Sequence, residues 1–310
     1  MVAKRAGNPT LSAGGQAALA AYAHALHHEQ DLSADTRRNY LSDLRQFAAW
    51  CEGAWGDGQG DAERFAPAAV TTPTITAYRA HLQTVARLAP ATINRHLVSL
   101  KRYCAWACDR GLVALDPARP VKLLPRVPAP PRRLSDKEEA ALLAAVTAHG
   151  TLRDRTLLVT ALHTGLRAEE LCNLARADLT IAARSGRVTV YGKRNKYREV
   201  PLNSTAREAL SAWLATLPQD AACLFPSKKG GGALTARALG YLLTKYATLA
   251  RVADVSPHDL RHRFGYRMAK TVPLHRRAQI MGHDSLDTTR LYVGGTRQDL
   301  QQAVEEIAWA

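Results

Sequence analysis

The sequence predicts a mainly α protein with a small antiparallel β-sheet, divided into two domains. Three observations carry this. The 310 residues exceed a usual single domain. Helical apolar spacing recurs along most of the chain, and a segment dense in proline divides it in two. In the second half, two short runs alternate with period two around a five-residue basic tip, as strands of a hairpin do.

Residues 1–10 are polar and are expected to form a flexible N-terminus. From about Leu11 an Ala-rich helix is expected. Ser33 can cap a second helix running to roughly Trp50, whose apolar stripe is Tyr40, Leu44, Phe47 and Trp50. Residues 53–67 (GAWGDGQGDAERFAP) are Gly-rich and read as a loop. Helices over about Thr74–Arg87 and Thr92–Arg110 follow, ended by Gly111 and the Asp116-Pro117 break. The first domain is therefore placed at 11–116.

Residues 117–131 contain six prolines interleaved with Arg119, Lys122 and Arg126. Proline removes backbone donors and favours extended chain, so 117–133 is expected to be an interdomain linker. Its charges suit either a strap across a DNA groove or a solvated tether.

The second domain, 134–310, opens on a capping box, Ser135 with Glu138. A helix over about Arg153–His163 stops at Gly165, and a new helix start follows at Leu166-Arg167-Ala168-Glu169-Glu170-Leu171. Arg187–Tyr191 and Tyr197–Leu202 are the two expected strands, joined by Gly192-Lys193-Arg194-Asn195-Lys196. Helices are expected over about Asn203–Thr216, Thr235–Arg251 and Pro257–Met268. At the end, Leu300, Ala303, Val304, Ile307 and Ala308 form the stripe of a tail helix whose apolar face needs a partner.

Lys and Arg number 42 against 27 Asp and Glu, a formal net charge of +15. Residues 1–133 hold 17 basic and 10 acidic residues, and the remainder 25 and 17, so both halves are basic. An anionic partner contacting both halves fits this, and nucleic acid fits it best. The five cysteines include no CxxC pair, which favours reduced cytosolic thiols over disulfides or a zinc site. No long apolar run or signal peptide is apparent, so neither membrane insertion nor export is expected.

Chemistry concentrates between His258 and Tyr292. Ser256 reads as an N-cap, Pro257 as the first helical residue and Asp259 as a first-turn acid. His258, Arg261 and His262 then share one helix face. A cationic face followed by His283 and Tyr292 suggests phosphodiester chemistry. The His258/His262 pair is spaced like a zinc helix, but HDLRH lacks the glutamate of HExxH.

Residues 134–310 resemble the catalytic domain of the tyrosine recombinases, the phage-integrase and Xer-type enzymes. The matching pieces are Thr164-Gly165-Leu166-Arg167 with Glu170-Leu171, Gly192-Lys193 through Arg198 into Val200-Pro201-Leu202, His258-Asp259-Leu260-Arg261-His262, Gly282-His283, and Thr288-Thr289 before Tyr292. Residues 33–110 resemble the family's helical, SAM-like core-binding domain through Thr36, Tyr40, Asp43-Leu44, Phe47, Trp50 and Thr92-Ile93-Asn94-Arg95-His96-Leu97. Two departures stand out: the Gly-rich 53–67 segment, and Lys270-Thr271-Val272-Pro273 in place of a Gly-containing turn, where a local loop change is expected.

The resemblance implies a catalytic set of Arg167, Lys193, His258, Arg261, His283 and Tyr292. Attack on a phosphodiester builds charge on its non-bridging oxygens, which arginine's planar fork matches, so Arg167 and Arg261 are the expected clamp. Tyr292, with an ordinary pKa of about 10, needs cationic or basic help to attack. His258 is the expected base, Lys193 the acid for the departing 5′-oxygen, and His283 a donor to the phosphate. Glu170 is expected to orient cationic groups. The implied product is a 3′-phosphotyrosyl link that a 5′-hydroxyl of a partner strand resolves through a Holliday junction, with no metal, ATP or other cofactor. Implied partners are double-stranded DNA and three further copies, as a homo-tetramer on two sites in which the tail helix docks into a neighbour or folds back on its own chain. The implied setting is the bacterial cytoplasm, with the gene carried by a chromosome, phage, plasmid or transposon and the protein associated with the nucleoid. Two alternatives are weighed against recombination: a type IB topoisomerase, and a catalytically silent DNA-binding or architectural protein.

Overall fold

The computed structural model describes residues 9–29, 31–55, 65–125, 132–191, 197–228, 230–269 and 271–282. The chain is mainly helical with one three-stranded antiparallel sheet, and it divides into two compact units, Met1–Pro128 and Ala129–Ala310. Among the described residues no helix is long and apolar enough to cross a membrane.

The first unit comprises α1 (Ala13–His28), α2 (Ala34–Trp55), α3 (Thr72–Thr84) and α4 (Pro90–Asp109). Ser12 caps α1 by accepting from Gly15 N, and Thr71 caps α3 through a reciprocal box with Thr74. The apolar faces meet in a core that includes Tyr22, Leu44, Phe47, Ile75, Tyr78, Leu97 and Tyr103. Helix α2 runs to Trp55, five residues past its expected end. Trp55 stacks on buried Phe65, with centroids 6.1 Å apart, which secures the last turn despite Gly53. Of the Gly-rich segment, 56–64 lies outside the described residues.

One buried polar network sits within that core. Asp43 is fully buried and accepts from Arg95 Nη1 at 2.5 Å and from Ser99 Oγ at 2.7 Å, while His96 Nδ1 lies 3.5 Å away.

The unit also extends beyond the boundary expected at 116. Ala118 and Val121 are buried in its core. Thr72 Oγ1 donates to Pro117 O, Arg79 to Lys122 O and Lys101 to Ala118 O. Asn94 closes a two-point clasp on Leu124, its Nδ2 donating to the carbonyl at 3.0 Å and its Oδ1 accepting from the amide at 2.8 Å. Residues 117–120 turn, with the Val121 amide donating to Ala118 O, and 121–125 carry no regular structure, so side chains of α3 and α4 supply partners to several of the carbonyls in this segment.

The second unit holds α5 (Asp136–His149), α6 (Leu152–Thr164), α7 (Ala168–Cys172), β1 (Leu179–Ile181), β2 (Gly186–Tyr191), β3 (Tyr197–Pro201), α8 (Ser204–Leu214), α9 (Ala236–Leu249), α10 (Pro257–Ala269) and α11 (Leu274–Met281). The Ser135/Glu138 box forms as the sequence predicts. The sheet order is β1-β2-β3, with Val188 opposite Val200 and Val190 opposite Arg198. Val188, Val190 and Val200 face a core shared with Leu157, Leu158, Leu210, Phe225, Leu243 and Leu260. Strand β1 and helix α11 are additions to the sequence reading. The hairpin tip 192–196 and the expected tail helix lie outside the described residues.

Candidate active site

Helix α6 ends at Gly165, whose left-handed backbone (φ 62°) turns the chain so that Arg167 becomes the N-cap of α7. Glu170, three residues on, accepts from the Arg167 amide at 2.8 Å and from its Nη1 at 2.9 Å. Helix α10 begins at Pro257, and Asp259 at its third position reaches back to the Ser256 amide (2.8 Å) and hydroxyl (2.6 Å). This start fixes the turn that carries His258 and Arg261.

Arg261 is buried. Its Nη1 donates to Gly165 O at 2.6 Å and its Nη2 to Met281 O at 2.7 Å, joining the end of α6 to the end of α11. Arg167, with a side chain 47% exposed, donates from Nη2 to Gly282 O at 2.8 Å. Arg198 on β3 donates from Nε to Ile280 O at 3.1 Å and grips both oxygens of Glu170 at 2.9 and 2.8 Å. Three guanidinium groups thus hold three consecutive carbonyls at the C-terminus of α11, where unsatisfied acceptors and the negative end of the helix dipole gather. Gly282 closes that helix in the left-handed region (φ 64°), and a Cβ there would lie 2.8 Å from the Arg198 guanidinium.

The electrostatics follow from this packing. Burial alone raises the Glu170 pKa, but the Arg198 fork, the Arg167 amide and both positive charges outweigh it and hold the carboxyl at about 2. His258 titrates below the usual histidine range, chiefly through burial and secondarily through Arg261 and Arg167. His262 is pushed down to about 4 by burial and by His258, on which it packs edge to face with centroids 4.2 Å apart. Both imidazoles are therefore neutral at neutral pH. Among the described residues no group of three or more His, Cys, Asp or Glu is placed to hold a metal ion.

Of the residues expected in the site, Arg167, His258 and Arg261 are brought together around the α6 and α11 termini. Lys193, His283 and Tyr292 lie outside the described residues. The sequence reading gave no role to Arg198. Its signal was present in the register: in YREVPL it takes a core-facing position, in line with Val190 and Val200, where a charge requires a partner.

In an α+β unit that follows a helical one, Arg167 and Arg261 lie near His258, a cationic arrangement suited to an anionic group such as a phosphodiester. Residues 132–298 match the phage integrase family, and residues 19–113 match the phage integrase N-terminal SAM-like domain. The chain belongs to the phage integrase family, the tyrosine recombinases, and is a site-specific DNA recombinase of that type. It is 34% identical over 282 residues to tyrosine recombinase XerC of Xanthomonas axonopodis pv. citri, covering 86% of this chain and 88% of that protein. It is 33% identical over 290 residues to tyrosine recombinase XerD of Pseudomonas aeruginosa, covering 89% and 92%. In fold it is similar to the Tn1549 transposon integrase in complex with a circular intermediate DNA (TM-score 0.71, 19% identity, 94% of this chain and 99% of that one). It is likewise similar to the XerH recombinase bound to difH substrate in a post-cleavage complex (TM-score 0.69, 20% identity, 87% and 79%).

Proposed function

We propose that this recombinase cleaves and rejoins duplex DNA through Tyr292, with Arg167, Lys193, His258, Arg261 and His283 completing the catalytic set. The observation that carries the reading is the convergence of Arg167 and Arg261 on adjacent carbonyls, Gly282 O and Met281 O, with His258 one turn before Arg261. Two guanidinium groups fixed relative to each other form a preorganised receptor for a scissile phosphate, so charge developing in the transition state meets donors that need no reorganisation. A neutral His258 can take the Tyr292 proton as the phenolic oxygen attacks phosphorus. Lys193 protonates the departing 5′-oxygen, leaving a 3′-phosphotyrosyl bond, and His283 donates to a non-bridging oxygen. Reversal with the 5′-hydroxyl of a partner strand exchanges the strands and conserves the bond, so neither nucleotide nor metal is required.

The first unit acts as the core-binding domain, and both basic halves contact the duplex. Four copies act on two sites, with the tail helix as the connecting element, in the bacterial cytoplasm at the nucleoid. The named relatives favour strand exchange over the topoisomerase and silent-binder alternatives. The test is a denaturing gel of nicked suicide duplexes carrying sites from the gene's own genomic neighbourhood, run without magnesium. The expected result is a covalent adduct with the wild type and none with Tyr292→Phe, at unchanged DNA binding. An adduct with Tyr292→Phe would remove the nucleophile assignment.

A further inference from the structure

We propose that Arg198 is a positioning residue for strand cleavage: through Glu170 and the Ile280 carbonyl it fixes both the Arg167 guanidinium and the end of α11 that leads into His283. The inference rests on the catalytic set proposed above and adds a residue outside it.

Arg198 spends its donors inward. Its side chain is 15% exposed, its Nη1 and Nη2 bind the two Glu170 oxygens, and its Nε binds Ile280 O. Glu170 in turn holds Arg167 at both the amide and Nη1, and Arg167 completes the circuit through Gly282 O. A guanidinium supplies this three-way fork in one plane, which an ammonium cannot reproduce. The charged groups acting on Glu170 are Arg198, from β3, and Arg167, at the cap of its own helix. The end of α11 contributes backbone carbonyls.

Deleting Arg198 therefore has two consequences. Arg167 and the α11 terminus lose a common anchor, and a small misplacement of a catalytic donor is expensive in rate. Glu170 also stays buried with one cation fewer, so its carboxyl titrates upward and releases Arg167 once protonated.

The experiment is single-turnover cleavage of nicked suicide duplex by the full chain, comparing wild type, Arg198→Ala, Arg198→Lys and Arg167→Ala, with DNA affinity and thermal melts for each. For Arg198→Ala the cleavage rate is expected to fall about 10- to 100-fold, with the dissociation constant for DNA changing less than about threefold. Its rate relative to wild type is expected to fall further as pH drops from about 7.5 to about 5.5, the direction set by a raised Glu170 pKa. Arg198→Lys keeps the charge without the fork and should remain at least about fivefold slow. A folded Arg198→Ala that cleaves at the wild-type rate overturns the proposal. So does an affinity loss matching the rate loss, which would make Arg198 a DNA contact. A ratio flat with pH, or full rescue by lysine, also overturns it. Absence of an adduct with the wild type, or a wild-type rate in Arg167→Ala, instead overturns the catalytic set on which the proposal stands.

Discussion

Gly165 and Phe264 approach so closely that a Cβ on the glycine would lie 2.2 Å from Phe264 Cδ1. The glycine also carries the carbonyl that Arg261 binds and sits in the left-handed region, at φ 62°. Gly165→Ala thus combines backbone strain with overpacking in a turn that places two arginines. A loss of roughly 2–4 kcal/mol of stability is expected in urea unfolding of the full chain, with cleavage falling beyond what the unfolded fraction explains.

Arg167 and Arg261 should separate by burial when each is replaced by lysine. Arg167 is half exposed, so Arg167→Lys is expected to leave the melting temperature within a few degrees while cutting single-turnover cleavage about 10²- to 10³-fold. Arg261 bridges two element termini from within the core, and Arg261→Lys should lower both quantities. Melting curves run alongside gel assays distinguish the two.

Stability should fall on mild acidification. His262 titrates at about 4 in the folded chain against an ordinary value near 6.5, so the unfolded chain binds the extra proton between these limits. The contribution is fully present above about pH 6.5 and is lost progressively as pH falls toward 4, on the order of 2–3 kcal/mol. Urea midpoints at pH 7.5 and pH 5 measure it, and His262→Gln should flatten the slope.

In the first unit, Asp43→Ala removes the acceptor shared by Arg95 and Ser99 inside the core. The buried Ser99 hydroxyl then loses an acceptor and a cavity opens, while Arg95, 42% exposed, can turn to solvent, so a loss of about 1–3 kcal/mol is expected in thermal or urea melts. Asp43→Asn, which keeps the shape and part of the hydrogen bonding, should lose less.

The clasp on Leu124 gives a local readout. Asn94→Ala deletes both of its hydrogen bonds and should free the preceding strap, costing about 1–2 kcal/mol and exposing 117–125 to proteolysis. Limited digestion with mapped cleavage sites checks this against wild type.

Legibility followed the strength of local signals. Helices with side-chain caps or long apolar stripes, such as α2, α4 and α5, could be read because each carries its own start and periodicity. The hairpin was legible through alternation around a basic tip. Strand β1 was not, since three residues cannot display a period. Helix α11 was missed because LHRRAQIM is short, half polar, and opens without a side-chain cap, while its burial of Ala278 and Met281 depends on the rest of the unit. The strap was read as a linker because proline content reports extension and not docking. Its anchors come from Thr72, Arg79, Asn94 and Lys101, far away in sequence. In the site, Arg167, His258 and Arg261 were expected from the resemblance, and His258 and Arg261 also from their spacing on one helix face. What the two arginines bind, main-chain oxygens at helix ends, leaves no mark in a sequence.

Main-chain acceptors shape how the site tolerates sequence drift. The acceptors at 280, 281 and 282 belong to every amino acid alike, so exchanging the Ile280 side chain leaves its carbonyl still offered to Arg198. The donors have no such freedom, since each is one particular guanidinium on a separate element. Mutational fragility therefore falls almost wholly on one side of the contact. A variant library scored for cleavage should show the exposed positions of α11, His275, Arg276 and Gln279, as permissive, and Arg167, Arg198, Arg261, the buried Met281 and the glycine at 282 as intolerant.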